Sequence, residues 1–124
     1  MQRRDLLLVA RARAQSLRQV FTNVAELRIE LVFSGVVPMP SPQLHTLYPA
    51  APAFFRFVCP CAQCDGDFDL SELVSALVER TAACTQSDVA SGQLACQGIQ
   101  FRDKQGQKGC PMELRYHLTC RPAC

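Results

Sequence analysis

Clustered cysteines constrain this chain more than any other feature of its sequence. The chain has 124 residues and eight cysteines, and three of these lie in the stretch VCPCAQCDGDFDLSE at residues 58–72. That many cysteines indicate disulfides in an oxidising compartment and a metal site in a reducing one. The apolar run after Asp5 ends at Ala10 and arginines follow it, so it is too short for an export signal. We therefore expect a cytoplasmic, metal-binding protein.

The cysteine spacing favours one closed metal site. A C-x2-C pair, followed by a glycine two residues on, places two thiolates on one tight turn where both can reach the same ion. A second pair ends one predicted strand and begins the next, so the fold brings its members together. The predicted ligands of a structural Zn²⁺ are Cys61, Cys64, Cys96 and Cys110, with Cys59 as an alternative to Cys61. Four thiolates leave no open coordination position for a substrate.

Other fates of the cysteines stay open at this point. Reduced thiols packed in a core, disulfides and an iron–sulfur cluster are the alternatives to zinc. Cys84 and Cys120 are expected to be core residues, and Cys124 is expected to be free. No serine, histidine and acid fall into a catalytic pattern, so no catalytic residue is predicted.

The cysteine turn resembles the zinc knuckles of zinc-ribbon and treble-clef modules. The resemblance covers residues 59–66 and 96–110, and it implies metal binding without implying an activity. The stretch FFRFVCPCAQCDGDFDLSE is also similar to small uncharacterised bacterial proteins, a resemblance that carries no function to this chain.

Hydrophobic periodicity predicts an α+β fold with the element order αββαββ. The predicted strands are residues 25–33, 53–58, 89–96 and 111–120, and the predicted helices are residues 5–21 and 69–83. Asp69 and Glu72 form a capping-box-like pair at the start of the second helix. We expect a mostly antiparallel four-stranded sheet with two helices packed on one face and the four-cysteine zinc site attached.

The length of the chain predicts a single domain over residues 1–124. Within it we distinguish a basic N-terminal helix at 1–24, a proline-rich loop at 34–53 and a metal-binding region at 59–110. No apolar run approaches the roughly 18–20 residues of a membrane span, so no membrane partner is expected.

Two basic surfaces are predicted as binding surfaces. A helical stripe consists of Arg4, Arg11 and Arg18, and a loop surface at 97–109 consists of Phe101, Arg102, Lys104 and Lys108. Cations beside an aromatic ring suit nucleic acid, although both patterns are also typical of ordinary solvated surfaces.

The resulting functional expectation is a small non-catalytic, zinc-stabilised binding module. Its partner would be nucleic acid, including the ribosome, or a protein, and no small-molecule substrate is inferred. The alternative is a cysteine-based redox enzyme or redox-sensing switch, in which Cys59 or Cys61 stays outside the metal site and is reactive.

Overall fold

The structure is a computed structural model, and it describes residues 3–35, 39–61, 64, 66–81, 86–103 and 106–123. Of residues 3, 4, 99–103 and 106–108 it describes the backbone alone. The elements in chain order are α1 (Arg3–Arg13), α2 (Leu17–Val20), β1 (Val24–Ser34), β2 (Gln43–Leu47), β3 (Arg56–Val58), β4 (Asp67–Asp69), α3 (Ser71–Arg80), β5 (Asp88–Ala95), β6 (Ile99–Asp103), β7 (Gly106–Gly109) and β8 (Glu113–Pro122).

An antiparallel four-stranded sheet with the strand order β2-β1-β8-β5 forms the main layer. The predicted α+β class and the four-stranded antiparallel sheet are thereby confirmed. Strict alternation made β1 predictable, because one face of the strand is buried while Arg28 and Glu30 on the other face are exposed. Ile29 of β1 pairs with Leu118 of β8, and both are fully buried, so the two central strands supply the core.

The strand β2 corrects the prediction of a loop over residues 34–53. Its five residues pair with β1 in antiparallel register, from Leu27↔Leu47 to Leu31↔Gln43. β2 is an edge strand of the sheet, so only one side of its backbone needs a partner, and flanking prolines are tolerated there.

The predicted strand at 53–58 is shorter than expected, and it belongs to a second, two-stranded sheet. β3 pairs with β4 in a separate two-stranded hairpin, so the second strand of the main sheet is β2 instead. The backbone before β3 is bonded to other partners: the amide of Ala53 donates to the carbonyl of Gln15, and the carbonyl of Phe55 accepts from Leu70. The predicted order αββαββ is therefore not the observed one.

The predicted helix at 5–21 is two helices. Ser16 caps α2 with a capping box that Gln19 completes, and this S-x-x-Q pattern was the sequence signal for the break. α1 contacts β3, whereas α3 contacts β5 and β8. The expectation that both helices pack on one face of the sheet is not confirmed.

α3 starts two residues later than predicted. Leu70 occupies the N-cap position without a side-chain cap, and Asp69 accepts a hydrogen bond from the amide of Ser71 at 2.9 Å. The buried side chains form one contiguous core, in which Phe68 of β4 packs on Phe33 of β1 with ring centroids 5.8 Å apart. Across the described ranges, no helix has the length and apolar character needed to cross a membrane.

Candidate metal centre

The β3–β4 hairpin positions the first two cysteines of the cluster. Val58 and Asp67 are the last paired residues, so Cys59 lies opposite Gly66, and its amide donates to the Gly66 carbonyl at 3.2 Å. Cys64 lies on the turn between these strands. The register of the hairpin therefore places Cys59 and Cys64 on either side of the same loop mouth.

The end of β5 and the start of β8 position the other two cysteines of the cluster. Cys96 follows β5, and its amide donates to the carbonyl of Met112 at 2.9 Å. Cys110 precedes β8, and its amide donates to the carbonyl of Gly98 at 3.0 Å. The chain between Cys96 and Cys110 forms a hairpin of its own from β6 and β7.

The four thiols come together at one point. The Sγ atoms of Cys59, Cys64, Cys96 and Cys110 all lie within 4.8 Å of one another. The Cys59–Cys110 and Cys64–Cys96 Sγ distances are both 3.8 Å. A tetrahedral ion bound at about 2.3 Å from each sulfur separates its ligands by about 3.8 Å, so the spacing fits one zinc-sized ion.

Backbone amides point at the sulfur atoms. The amide of Gly66 donates to Sγ of Cys64 at 3.4 Å, and the amide of Gly98 donates to Sγ of Cys96 at 3.3 Å. In both cases the donor lies two residues after the cysteine. Hydrogen bonds to an ionised acceptor are stronger than neutral ones, so the Gly66 amide acts to lower the pKa of Cys64.

Burial acts in the opposite direction on three of the four thiols. Removal from water raises the pKa values of Cys59, Cys64 and Cys110. The amides of Cys61 and Met112 partly offset this for the pKa values of Cys59 and Cys110, respectively. A divalent cation reverses the balance, because it binds thiolates and releases their protons.

The two halves of the cluster touch through their glycines. A Cβ atom added to Gly66 would lie 2.7 Å from Sγ of Cys96 and 2.9 Å from the Cα atom of Gly98. The repeated Cys-x-Gly pattern, Cys64 with Gly66 and Cys96 with Gly98, was the sequence signal for this contact. The two turns approach backbone to backbone, which a side chain at Gly66 would prevent.

Cys61 does not belong to the cluster, and Cys59 takes its place. The two cysteines that this segment contributes to the cluster are Cys59 and Cys64, which are spaced C-x4-C in the sequence. The predicted C-x2-C pair was Cys61 and Cys64. The reason is the hairpin register, which places Cys59 directly after β3 and opposite Gly66. Cys61 lies on the turn with a partly buried side chain. Binding of an ion by either set of ligands stays a prediction.

The other predicted site residues do not form a single surface. Arg11 and Arg18 are exposed, but they lie on different helices, so no continuous helical stripe joins them. The side chains of Arg4, Phe101, Arg102 and Lys108, and the whole of Lys104, lie outside the described residues. Cys120 is buried in the core as expected, and Cys84 and Cys124 lie outside the described ranges.

The fold and the site together define a cysteine-rich α+β chain with four cysteines at metal-binding distance. No family model, no characterised relative and no solved structure matches it. The resemblance to zinc knuckles rests on the thiol cluster alone, and no family is identified for the chain.

Proposed function

We propose that the chain is a small non-catalytic binding module stabilised by a structural Zn²⁺ on Cys59, Cys64, Cys96 and Cys110. The observation that carries the proposal is the pair of 3.8 Å sulfur separations, which equal the edge of a zinc–thiolate tetrahedron. Cys59, Cys96 and Cys110 are buried, and four protein ligands leave no position for a substrate. The function then lies on the surface of the module.

The spacing of the thiols supports a single ion. Sulfur atoms 3.8 Å apart enclose one metal atom and leave little room for a multi-iron cluster. Four tetrahedral thiolates suit zinc, and a single iron has the same ligand preference. Metal analysis of the purified protein separates the two.

The ion would join two regions that the backbone joins weakly. It would link the β3–β4 hairpin, through Cys59 and Cys64, to the ends of β5 and β8, through Cys96 and Cys110. Because the site forms only in the folded chain, the free energy of metal binding contributes to folding.

The deciding experiment compares two neighbouring cysteines. We expect wild-type protein and the Cys61→Ser variant to hold one zinc per chain by mass-spectrometric metal analysis, and the Cys59→Ser variant to lose it. Serine removes one thiolate at either position, so Cys61→Ser is a matched control. Retention of zinc by Cys59→Ser with loss by Cys61→Ser would restore the C-x2-C interpretation. Wild-type protein without metal would refute the proposal.

The proposed partner is nucleic acid, including the ribosome, or a protein. Two exposed arginines, Arg11 and Arg18, support an anionic partner. Binding to a single-stranded RNA should weaken steeply with salt, because neutralised phosphates release counterions. Absence of RNA binding at low salt would leave a protein as the partner.

The redox alternative has one specific observation in its favour. Cys61 lies outside the four-thiol group and only two residues from Cys59. A redox switch would need Cys61 to be reactive in the zinc-loaded protein. Quantitative alkylation with peptide mapping tests this: selective, rapid labelling of Cys61 would favour the switch over the binding module.

A further inference from the structure

A groove is lined by α1, by β2 and by residues 52–58, and its volume is about 170 Å³. Its walls are mostly apolar and include Leu8, Leu47, Phe54 and Phe57. An apolar cavity of about 150 Å³ accommodates a molecule the size of benzene, so this groove accepts one ring or a short branched chain.

The polar groups of the groove are basic. None of the described residues that line it is acidic, and the ionisable ones are Arg11, His45 and Arg56. Arg56 pairs with Asp67 at 2.7 Å, which offsets its charge. Within the described part of the chain, the guanidinium of Arg11 has no carboxylate partner. The groove therefore presents about one uncompensated positive charge.

His45 contributes to the walls without adding charge. Its ring lies on Phe57 with the centroids 5.0 Å apart, and its Nε2 atom lies 3.1 Å from Oε1 of Gln43. Burial and the neighbouring Arg11 both lower the pKa of His45, so the neutral imidazole dominates at neutral pH. The uncompensated charge is that of Arg11.

We propose that this groove binds a small organic monoanion, with an apolar ring-sized body between Leu8, Phe54 and Phe57 and a carboxylate on Arg11. A guanidinium binds a carboxylate through two parallel hydrogen bonds, and an exposed Arg11 is free to make them. A single uncompensated charge matches a monocarboxylate better than a phosphate dianion. The inference goes beyond the proposed function and does not require a metal ion.

The test is a titration of the full chain, as purified, with phenylacetate, followed through the methyl NMR signals of Leu8 and Leu47. We expect saturable shifts at these methyl groups. Phenylacetamide has the same ring without the charge, and acetate has the charge without the ring. Phenylacetamide lacks the charge-assisted hydrogen bonds and acetate lacks the apolar contact of the ring, so both should bind at least about tenfold more weakly than phenylacetate.

Two arginine variants complete the test. Arg11→Gln should raise the dissociation constant for phenylacetate about tenfold or more, while Arg18→Gln should leave it within about twofold. Both arginines are exposed, so neither change should unfold the chain, and Arg18 does not line the groove. Absence of saturable shifts, equal binding of phenylacetamide, tighter binding of inorganic phosphate, or an unchanged Arg11→Gln variant would each overturn the inference. Metal analysis of every sample separates these outcomes from a failure of the zinc site.

Discussion

The main sheet and the cysteine end of the molecule are stabilised in different ways. β1 and β8 pair at ten positions, and their inner face is a continuous apolar surface. β3 and β4 pair at three positions, and four cysteine thiols meet at the end of this hairpin. A two-stranded hairpin that short is marginal in water, whereas a four-stranded sheet with a buried face is not. We therefore expect the sheet to hold without a metal ion and the cysteine end to depend on one.

The two regions nevertheless share one core. Phe68 of β4 is buried against Phe33 of β1, and Leu70 after β4 is fully buried. Disruption of the cysteine end should therefore reach the sheet through these side chains and through the ends of β5 and β8, which Cys96 and Cys110 adjoin. Perturbation of either region shows how far the two are separable.

Metal removal should have the largest effect. Binding of a structural zinc in zinc-finger peptides releases on the order of 10 kcal/mol, more than any one side chain contributes here. After chelation, the amides of residues 59–61, 66, 96–98 and 110 should lose protection from hydrogen exchange before those of β1 and β8. Mass-spectrometric hydrogen exchange with and without chelator measures this. Equal loss of protection in both regions would show that they are one cooperative unit.

A substitution that leaves a cavity in the sheet perturbs the other of the two regions. Leu118 is fully buried in the centre of β8, and Leu118→Ala should cost about 2–5 kcal/mol of unfolding free energy. Denaturant titration measures the loss, and the variant should still hold its metal. Val32→Ala, on the outer face of β1 with 37% of its surface exposed, is the control and should cost less than about 1 kcal/mol. Loss of the metal in the Leu118→Ala variant would show that the sheet and the cysteine end cannot be perturbed independently.

A smaller change tests the contact between the two cysteine turns. A methyl group at position 66 would meet Sγ of Cys96 and the backbone of Gly98, and overpacking of this kind costs about 1–3 kcal/mol. Gly66→Ala should therefore weaken metal affinity in a competition with a chromogenic chelator. Gly109→Ala is the matched control, because among the described atoms outside its two chain neighbours none lies within 4 Å of the added Cβ. Equal metal affinities of the Gly66→Ala and Gly109→Ala variants would mean that the two cysteine turns accommodate the methyl group without loss of binding free energy.

The sheet was largely predictable because its signals are local. Alternation of apolar and polar residues in β1 and β8 is a direct consequence of one buried face. The pairing of β5 with β8 followed from their proximity across the 97–109 segment. β2 escaped prediction because an edge strand needs only one partner and its own pattern is weak, with Leu44 exposed and no residue fully buried.

The choice between Cys59 and Cys61 could not be made from spacing. C-x2-C and C-x4-C pairs can both reach a common ion, and the register of β3 with β4 places the Cys59 and Cys64 thiols in the cluster. That register depends on where β3 ends, and strand ends are poorly determined by the sequence. The second half of the site, Cys96 and Cys110, was predictable because it lies at the ends of the two strands that were predicted.

The smallest predicted effect is on the pH dependence of stability, which should differ between the Cys120 thiol of the sheet and the thiols of the cluster. Cys120 is fully buried in the sheet, and burial raises its pKa, while a hydrogen bond with Thr81 partly offsets the rise. Above the ordinary thiol pKa of about 8.5, the unfolded chain ionises at this position and the folded chain does not. The unfolded state then binds fewer protons, so the unfolding free energy should fall as pH rises, by at most about 1.4 kcal/mol per pH unit.

Denaturant titrations of zinc-loaded protein between neutral pH and moderately alkaline pH test this slope. Cys120→Ala should reduce the slope by the contribution of one thiol, whatever the stability of the variant at neutral pH. Thiols bound to a metal respond in the opposite direction, because acidification protonates them and releases the ion. Stability should therefore fall on the acid side through the cluster and on the alkaline side through the sheet. An unchanged alkaline slope in Cys120→Ala would mean that this thiol ionises in the folded chain, and that the core beside Thr81 admits water.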